Sequence, residues 1–227
     1  MSSKLKEEDN QESIQSGLSA PGILFVVSSP SGGGKGTLIS RALNAIPGLS
    51  YSVSYTTRAP RNGELNGRDY FFVSPEQFEQ MVAANEFLEW ARVHRHLYGT
   101  ARQQVWREMS QGRDIILEVD VQGAASVRKL VTNSVSVFIL PPSFEVLRKR
   151  LLARGTDSRE ELEVRLRNAP SELNQYDQFD YVIINDDADR AAAQLRAIIS
   201  AERARCERQE EEIRRVADTF PSGRAGC

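Results

Sequence analysis

Short, continuous runs of apolar residues alternate along the chain with longer segments in which apolar residues recur every three or four positions. The continuous runs are typical of strands buried on both faces of a parallel sheet, and the periodic segments are typical of amphipathic helices. Four strands are predicted, at 23–27, 115–119, 135–140 and 181–184. Helices are predicted between them, at about 35–46, 101–111, 122–131, 143–153, 158–176 and 187–216. Strands that alternate with helices imply an α/β fold with a parallel sheet and right-handed crossovers.

The segment 51–73 has a different pattern, because apolar and polar residues alternate over short stretches and turn-forming pairs interrupt them. This pattern predicts short strands and a mobile loop. Ser74 and Pro75 then have the residue types preferred at the N-cap and at the first helical position. A further helix is therefore predicted to begin at Pro75.

Composition narrows the class of protein. The 227 residues, 40% of them hydrophobic, suffice for a sizeable core. A net charge of −2 and a pI of about 5.9 argue against a broadly basic nucleic-acid-binding protein. No apolar run approaches the roughly 18 residues that cross a bilayer. Residues 1–20 are polar, lack the apolar centre of a secretory signal and predict a flexible tail. Two cysteines, Cys206 and Cys227, form no disulfide framework, so we expect a cytoplasmic protein.

A Gly-rich segment follows the first predicted strand and opens the first helix. Glycines let backbone N–H groups close around phosphate oxygens, and the helix N-terminus and Lys35 add positive charge. This order predicts a P-loop. Two positions depart from its consensus: Ser29 replaces the first Gly, and Gly36 stands where Ser or Thr is usual, a form that resembles adenylate kinases. The predicted phosphate-binding residues are Ser31, Gly32, Gly33, Gly34, Lys35, Gly36 and Thr37.

Two further places in the chain suit anions or metal-bound nucleotides. Arg58 and Arg61 lie three residues apart in a polar loop stiffened by Pro60, so their guanidinium groups can clamp one phosphate. Tyr70 can donate its hydroxyl to the same anion. Asp120 follows a buried strand, at the end where ligands bind in open α/β sheets, and a carboxylate there suits magnesium and nucleotide.

Taken together, these segments resemble the guanylate kinase family over about residues 22–205. The resemblance is carried by the P-loop, by 53–70 and 118–124, and by the motifs at 87–91, 98–100, 151–155 and 185–187. It implies that a phosphoryl group passes from ATP to GMP, and to dGMP, giving ADP and GDP in purine nucleotide metabolism, with Mg²⁺ as cofactor. The fold it implies is a P-loop NTPase-type parallel sheet flanked by helices, with a small mixed α+β GMP-binding insertion and a helical lid.

The resemblance also implies a division of the chain. We expect a P-loop core at 21–53, 101–145 and 168–205, a GMP-binding domain at 54–100 and a lid at 146–167. The tail at 1–20 and a charged C-terminal helix end and tail at 206–227 flank these parts.

The matched motifs imply specific contacts for the substrates. The GMP phosphate is expected at Arg58, Arg61, Tyr70 and Tyr98. Guanine is expected at Ser54, Glu89, Thr100 and Asp120, and the adenine of ATP near Asn185. Guanine presents two adjacent donors, N1–H and the 2-amino group, which the Glu89 carboxylate accepts together. Adenine lacks this pair and would leave the carboxylate unpaired, so such a site discriminates strongly. Thr100 is expected to donate to the guanine O6, directly or through water. Magnesium is expected at Thr37 and Asp120, in part through water, with Glu118 as a weaker candidate.

The lid segment 145–167 has seven basic and five acidic residues, and Arg154 with Gly155 forms a break between two predicted helices that suits a hinge. The resemblance assigns Arg154 and Arg165 to the transferring phosphoryl group and the ATP phosphates. Together with Lys35 and Arg61 they are the expected catalytic residues. Phosphoryl transfer calls mainly for positioning and for neutralisation of charge, so no side-chain nucleophile or general base is required.

Two alternatives differ in class from an active guanylate kinase. A catalytically inactive guanylate kinase-like binding module typically lacks the glycines and lysine of the P-loop, which this chain keeps as Gly32, Gly34 and Lys35. A kinase for another nucleoside monophosphate is disfavoured by the guanine-binding pattern. The expected partners are GMP or dGMP and ATP, without nucleic acid or membrane. Monomer and homo-oligomer both remain open, with the charged C-terminal helix as a candidate contact to a partner chain.

Overall fold

The computed structural model describes residues 21–93, 95–154 and 159–220, and only the backbone of Arg154. The predicted tail at 1–20, the lid break at Gly155 and the residues beyond 220 lie outside this part of the chain. The described residues contain nine strands: β1 (Leu24–Ser28), β2 (Leu49–Tyr51), β3 (Tyr55–Thr56), β4 (Phe71–Phe72), β5 (Phe87–Val93), β6 (His96–Ala101), β7 (Asp114–Glu118), β8 (Val135–Leu140) and β9 (Tyr181–Ile184).

Eight α-helices occur in the same residues. They are α1 (Lys35–Ala45), α2 (Pro75–Ala83), α3 (Arg102–Ser110), α4 (Val121–Leu130), α5 (Phe144–Arg154), α6 (Arg159–Leu173), α7 (Ala188–Arg203) and α8 (Glu210–Ala217). Two 3₁₀ turns, Tyr176–Gln178 and Cys206–Arg208, lie before β9 and before α8. None of the helices in the described part has the length and hydropathy that a bilayer span requires.

The core is a five-stranded parallel sheet in the order β2-β7-β1-β8-β9. The central strand β1 explains the continuous apolar run of the sequence, because alternate side chains enter two different cores. Phe25 and Val27 pack with residues of α1 and α7, whereas Leu24 and Val26 pack with residues of α3 and α4. Helices therefore cover both faces of the sheet, and the predicted α/β fold is confirmed.

A second, four-stranded sheet in the order β4-β3-β6-β5 is mixed and has its own small core around Phe78, Phe87 and Leu97. Helix α2 covers it and begins where the sequence predicts. The Ser74 hydroxyl accepts a hydrogen bond from the Gln77 N–H, and the Gln77 side chain accepts one from the Ser74 N–H. Such a reciprocal capping box satisfies two N–H groups at the start of a helix.

Two strand predictions need correction. The core sheet has a fifth strand, β2, which begins at Leu49, before the alternating segment in which short strands were predicted. Strand β9 is an edge strand and only half buried: Ile183 faces the core, whereas Val182 and Ile184 are 42% and 47% exposed. Successive side chains of a strand point to opposite faces, so the face of β9 that carries Val182 and Ile184 is left partly open to solvent while Ile183 is buried.

The prediction of one long helix over 187–216 is wrong, because α7 ends at Arg203 and α8 starts only at Glu210. Arg203 is drawn into tertiary contacts: its Nε donates to Asp114 Oδ2 at 2.6 Å and its Nη2 donates to the Pro47 carbonyl. The Gln209 side chain donates to the freed carbonyl of Arg203. Arg205 is extended, which ends the helical ladder.

Candidate active site

A cavity of about 280 Å³ lies between the Gly-rich loop, the second sheet and α6. Many of the predicted site residues line it: Ser31, Lys35, Ser54, Arg58, Arg61, Tyr70, Glu89, Tyr98, Asp120 and Arg165. Glu118, Asn168 and Glu172 line it as well. A larger cavity of about 500 Å³, along α4, is lined by none of the predicted site residues. The chemistry of the side chains, rather than cavity size, therefore identifies the candidate site.

The Gly-rich loop has the backbone that a phosphate cradle requires. Gly32 and Gly34 have φ values of 86° and 94°, in the left-handed region that favours glycine. The Gly33 N–H donates to the Pro30 carbonyl at 2.9 Å and closes a turn. Lys35 is the first residue of α1, and its ammonium lies 3.5 Å from the Ser29 carbonyl. The loop, the lysine and the helix N-terminus thus converge as the sequence predicts.

Asn185 ties this loop to the end of β9 rather than lining the cavity. It is buried, and its side-chain amide donates to the Gly33 carbonyl at 2.8 Å. Arg150, which the sequence analysis did not single out as a site residue, donates to the Asn185 carbonyl at 2.8 Å. Its place in a charged helix gave no signal of that role. A Cβ on Gly34 would lie 2.3 Å from the Asn185 amide nitrogen, so the contact also requires glycine in the loop.

Glu89 is a buried carboxylate at the insertion side of the cavity. The Thr100 hydroxyl donates to its Oε1 at 2.6 Å, so in this structure Thr100 donates to Glu89 rather than into the cavity. The pKa of Glu89 is raised to about 7, mainly because the carboxylate is buried. The hydrogen bonds from Thr100 lower this pKa, and the negative charge of Asp120 raises it further. Ionised Glu89 is therefore short of donors.

Two backbone features aim Glu89 into the cavity. The pairing of β5 with β6 shifts register between Phe87 and Glu89, and such a bulge redirects side chains. Phe87 enters the core of the second sheet, Leu88 enters the main core and Glu89 reaches the cavity. On the opposite side, a Cβ on Gly123 would lie 2.8 Å from Glu89 Oε2 and 3.2 Å from Asp120 Oδ1. A small residue at the start of α4 is therefore a requirement of the site.

Asp120 and Glu118 lie at the carboxyl end of β7. Asp120 caps α4, since its Oδ1 accepts from the Gly123 N–H at 2.7 Å, and Glu118 Oε2 accepts from the Tyr51 hydroxyl at 3.4 Å. The described residues contain no group of three or more potential His, Cys, Asp or Glu ligands. Mg²⁺ commonly needs only one or two carboxylates beside water and substrate phosphates, and this pair fits that donor set. Thr37 is exposed and does not line the cavity.

The arginine loop is held together by Glu64, which the sequence analysis did not single out. Arg58 Nη2 donates to Glu64 Oε1 at 2.9 Å, and the Arg61 N–H donates to Glu64 Oε2 at 2.7 Å. The Arg58 guanidinium also lies 5.4 Å from the centroid of the Tyr70 ring, which packs edge-on against Tyr98. An acidic residue beside two arginines was the available signal for this pairing.

Helix α6 reaches the Gly-rich loop at Ser31. Arg165 Nη1 donates to the Ser31 hydroxyl at 3.4 Å, and the Ser31 N–H donates to Glu172 Oε2 at 3.3 Å. Arg165, which is predicted to bind the transferring phosphoryl and the ATP phosphates, thus lies beside the loop, whereas the side chain of Arg154 lies outside the described residues. Glu172 was missed, because a carboxylate in a charged helix has no distinguishing signal in sequence.

Comparison with known proteins gives consistent matches. A family model described as guanylate kinase matches residues 22–202. The guanylate kinase of Polaromonas sp. is 48% identical over 200 residues, 88% of this chain and 96% of that protein. The guanylate kinase of Symbiobacterium thermophilum is 50% identical over 184 residues, 81% of this chain and 87% of that protein.

A solved structure agrees with these matches. The crystal structure of guanylate kinase from Anaplasma phagocytophilum superposes with a TM-score of 0.74 at 32% identity, over 90% of this chain and 98% of that chain. The resemblance found in the sequence is confirmed, and the chain belongs to the guanylate kinase family.

Proposed function

We propose that the chain, an ATP:GMP phosphotransferase by its family, carries out this transfer in the cavity that the Gly-rich loop shares with Glu89. The observation that supports this assignment is that Lys35 and Glu89 line one cavity of about 280 Å³. A loop that binds the phosphates of ATP and a carboxylate that binds guanine must face each other for direct transfer between two nucleotides. The division into core, GMP-binding insertion and lid is part of the proposal, as is the cytoplasmic location.

The guanine end of the site is assigned to Glu89, with Ser54, Thr100 and Asp120 around it. Ionised Glu89 accepts the N1–H and 2-amino donors of guanine and thereby regains the hydrogen bonds that burial denies it. Thr100 donates to Glu89 and holds the carboxylate in place. The same argument applies to dGMP, which has the same base. Adenine offers no matching pair of donors, and a buried carboxylate without donors is costly.

The phosphate of GMP is assigned to Arg58, Arg61, Tyr70 and Tyr98. Glu64 holds Arg58 and the backbone of Arg61 in one loop before the substrate arrives. Two guanidinium forks near one phosphate give paired, charge-assisted hydrogen bonds, which fix the orientation of the attacking oxygen. That oxygen is already anionic, so the site needs no general base.

The ATP phosphates are assigned to the Gly-rich loop, Lys35, Arg154 and Arg165, with Asn185 holding the loop beside the adenine. Positive groups around the transferring phosphoryl neutralise charge that spreads over its oxygens. Asp120 and Glu118 are the residues that would hold Mg²⁺, with Thr37 farther out. Mg²⁺, when bound with ATP, supplies further neutralisation of the phosphate oxygens.

A coupled assay of ADP formation tests the proposed function. The purified chain is supplied with ATP and Mg²⁺, and GMP, dGMP, AMP, UMP and CMP are compared as acceptors. We expect turnover with GMP and dGMP and little with the other three. Glu89→Gln is the matched variant, because it keeps the size of the side chain and removes its charge. It should lose most of its preference for GMP.

Two outcomes would contradict the proposal in different ways. Absence of turnover with GMP, while the folded chain still binds GMP, would favour the inactive binding module. Equal turnover with AMP or a pyrimidine nucleotide would instead remove the guanine assignment of Glu89.

A further inference from the structure

Glu172 is a cavity-lining carboxylate that has no part in the proposed reaction. It lies on α6, seven residues after Arg165, so both side chains lie on one face of the helix. Both meet the same loop residue: the Ser31 N–H donates to Glu172 Oε2 at 3.3 Å, and Arg165 Nη1 donates to the Ser31 hydroxyl at 3.4 Å. Helix α6 thus contacts Ser31 of the Gly-rich loop with both an anionic and a cationic side chain.

The chemistry of this contact is that of a phosphate site. Backbone N–H groups of a Gly-rich loop are placed to bind anionic oxygens. A carboxylate, like a phosphate, presents such oxygens. Burial raises the pKa of Glu172, while the hydrogen bond from Ser31 and the charge of Lys35 oppose that rise. Glu172 therefore lies within the field of the lysine that is assigned to the ATP phosphates.

We propose that Glu172 is a positioning residue that occupies the loop in place of a nucleotide phosphate and leaves it when ATP binds. The inference rests on the proposed function of the loop as the ATP site. A carboxylate and a phosphate repel each other and compete for one N–H, so both cannot hold Ser31. When ATP displaces Glu172, α6 is released from Ser31 and Arg165 becomes available to the incoming phosphates. ATP binding and the rearrangement of α6 are then one coupled step.

A purely structural role for Glu172 leads to the opposite expectation. If the contact only braced the loop, its loss would loosen the cradle and weaken ATP binding. If the carboxylate competes with ATP, its loss removes a cost of binding and tightens the ATP complex. The direction of the change in ATP affinity therefore separates the two roles.

Calorimetric titration with ATP in Mg²⁺-containing buffer tests the inference on the whole chain. Glu172→Gln removes the charge, and Glu172→Ala removes the acceptor as well. We expect either change to tighten ATP binding by about tenfold, as when a charge-assisted hydrogen bond no longer has to be broken. GMP affinity should not change, because GMP is assigned to Arg58 and Arg61. Thermal melting of each variant establishes that it is folded.

Glu163→Gln is the control, because Glu163 is an exposed carboxylate on the same helix, paired with Arg159 at 3.3 Å. It should leave ATP affinity unchanged. Unchanged or weaker ATP binding in both Glu172 variants would overturn the inference. Turnover of GMP by the unaltered chain, measured separately, reports on the proposed function, so failure of one is distinguishable from failure of the other.

Discussion

Burial of Glu89 should give this one side chain both the selectivity and the pH response of the proposed guanine site. With a pKa raised to about 7 by burial, the carboxyl is only partly ionised near neutral pH in the free protein. Guanine supplies two donors and therefore favours the ionised form. If Glu89 binds guanine as proposed, GMP binding and deprotonation of Glu89 are linked.

The KM for GMP should rise as the pH falls below about 7. The protonated carboxyl offers one acceptor fewer and a donor that opposes the N–H groups of guanine. Well below the pKa, we expect the KM to increase by about tenfold per pH unit. Steady-state assays at saturating ATP, over a series of pH values from above to well below the pKa of Glu89, measure this change in KM.

Glu89→Gln is the control for that experiment. The phosphate of GMP also titrates near neutral pH, and its contribution to the pH dependence of KM is the same in both proteins. The part of the pH dependence due to Glu89 should disappear in the variant, whose KM should be high throughout. Identical pH profiles in the two proteins would contradict the assignment.

The same substitution should increase the stability of the free protein at neutral and alkaline pH. Because the folded-state pKa of Glu89 lies above its usual 4.5, the bound proton stabilises the fold at acid pH. That contribution is lost as the pH rises through about 7, and a neutral amide does not lose it. We expect Glu89→Gln to be on the order of 2 kcal/mol more stable at pH 8. Thermal melts without ligand, at pH 8 and at pH 5, should show a larger advantage at pH 8 than at pH 5.

At the scale of secondary-structure elements, the guanine site depends on how β5 meets the start of α4. The bulge in β5 sends Glu89 towards α4, and glycine at position 123 leaves room for it. Asp120 is the N-cap of the same helix and also lines the cavity, so the residue that begins α4 is part of the site.

Gly123→Ala should separate stability from substrate binding. Alanine favours a helix over glycine by about 1 kcal/mol, so the melting temperature should not fall. Its Cβ would push the end of the Glu89 side chain out of place, so the KM for GMP should rise while the KM for ATP stays the same. Ser126→Ala, at an exposed position of the same helix, is the matched control. If the KM for GMP of Gly123→Ala equals that of Ser126→Ala, the steric argument is refuted.

On the scale of the whole molecule, the reaction calls on groups from three parts of the chain. The start of α1 supplies Lys35, β5 and the loop after β3 supply Glu89 and Arg58, and α6 supplies Arg165. Under the proposed assignment, we expect the affinity for GMP to depend on the second of these parts and the rate to depend on their assembly around the transferring phosphoryl.

Arg165→Ala and Arg154→Ala should lower kcat by roughly 10²-fold or more, because each removes positive charge from the developing transition state. The KM for GMP should change little, since neither arginine is assigned to GMP. Arg159→Ala is the control: Arg159 begins α6 and its side chain is 91% exposed. Steady-state kinetics with both substrates varied distinguish the effects, and an unchanged kcat in both variants would refute the lid assignment.

The sequence alone predicted the class of fold, which the structure confirms, and it indicated where two nucleotides would bind. The run at 23–27 predicted a doubly buried strand because each of its residues is apolar, and the glycines before Lys35 predicted a phosphate loop because only glycine tolerates that backbone. Local composition carried these predictions, and folding did not alter them.

Tertiary structure alone decided the contacts between residues distant in the chain. Ser31 meets Glu172 across 141 positions, and Asn185 meets Gly33 across 152. Arg203 pairs with Asp114 at the point where α7 ends, inside the segment predicted as one long helix. Polar contacts of this kind produce no recurring pattern in the sequence. The packing of whole helices and strands, rather than the neighbouring residues in the chain, determines which side chains meet. The resemblance in sequence pointed to Glu89 as a guanine ligand, and the fold then showed how deeply the carboxylate is buried and that this burial raises its pKa.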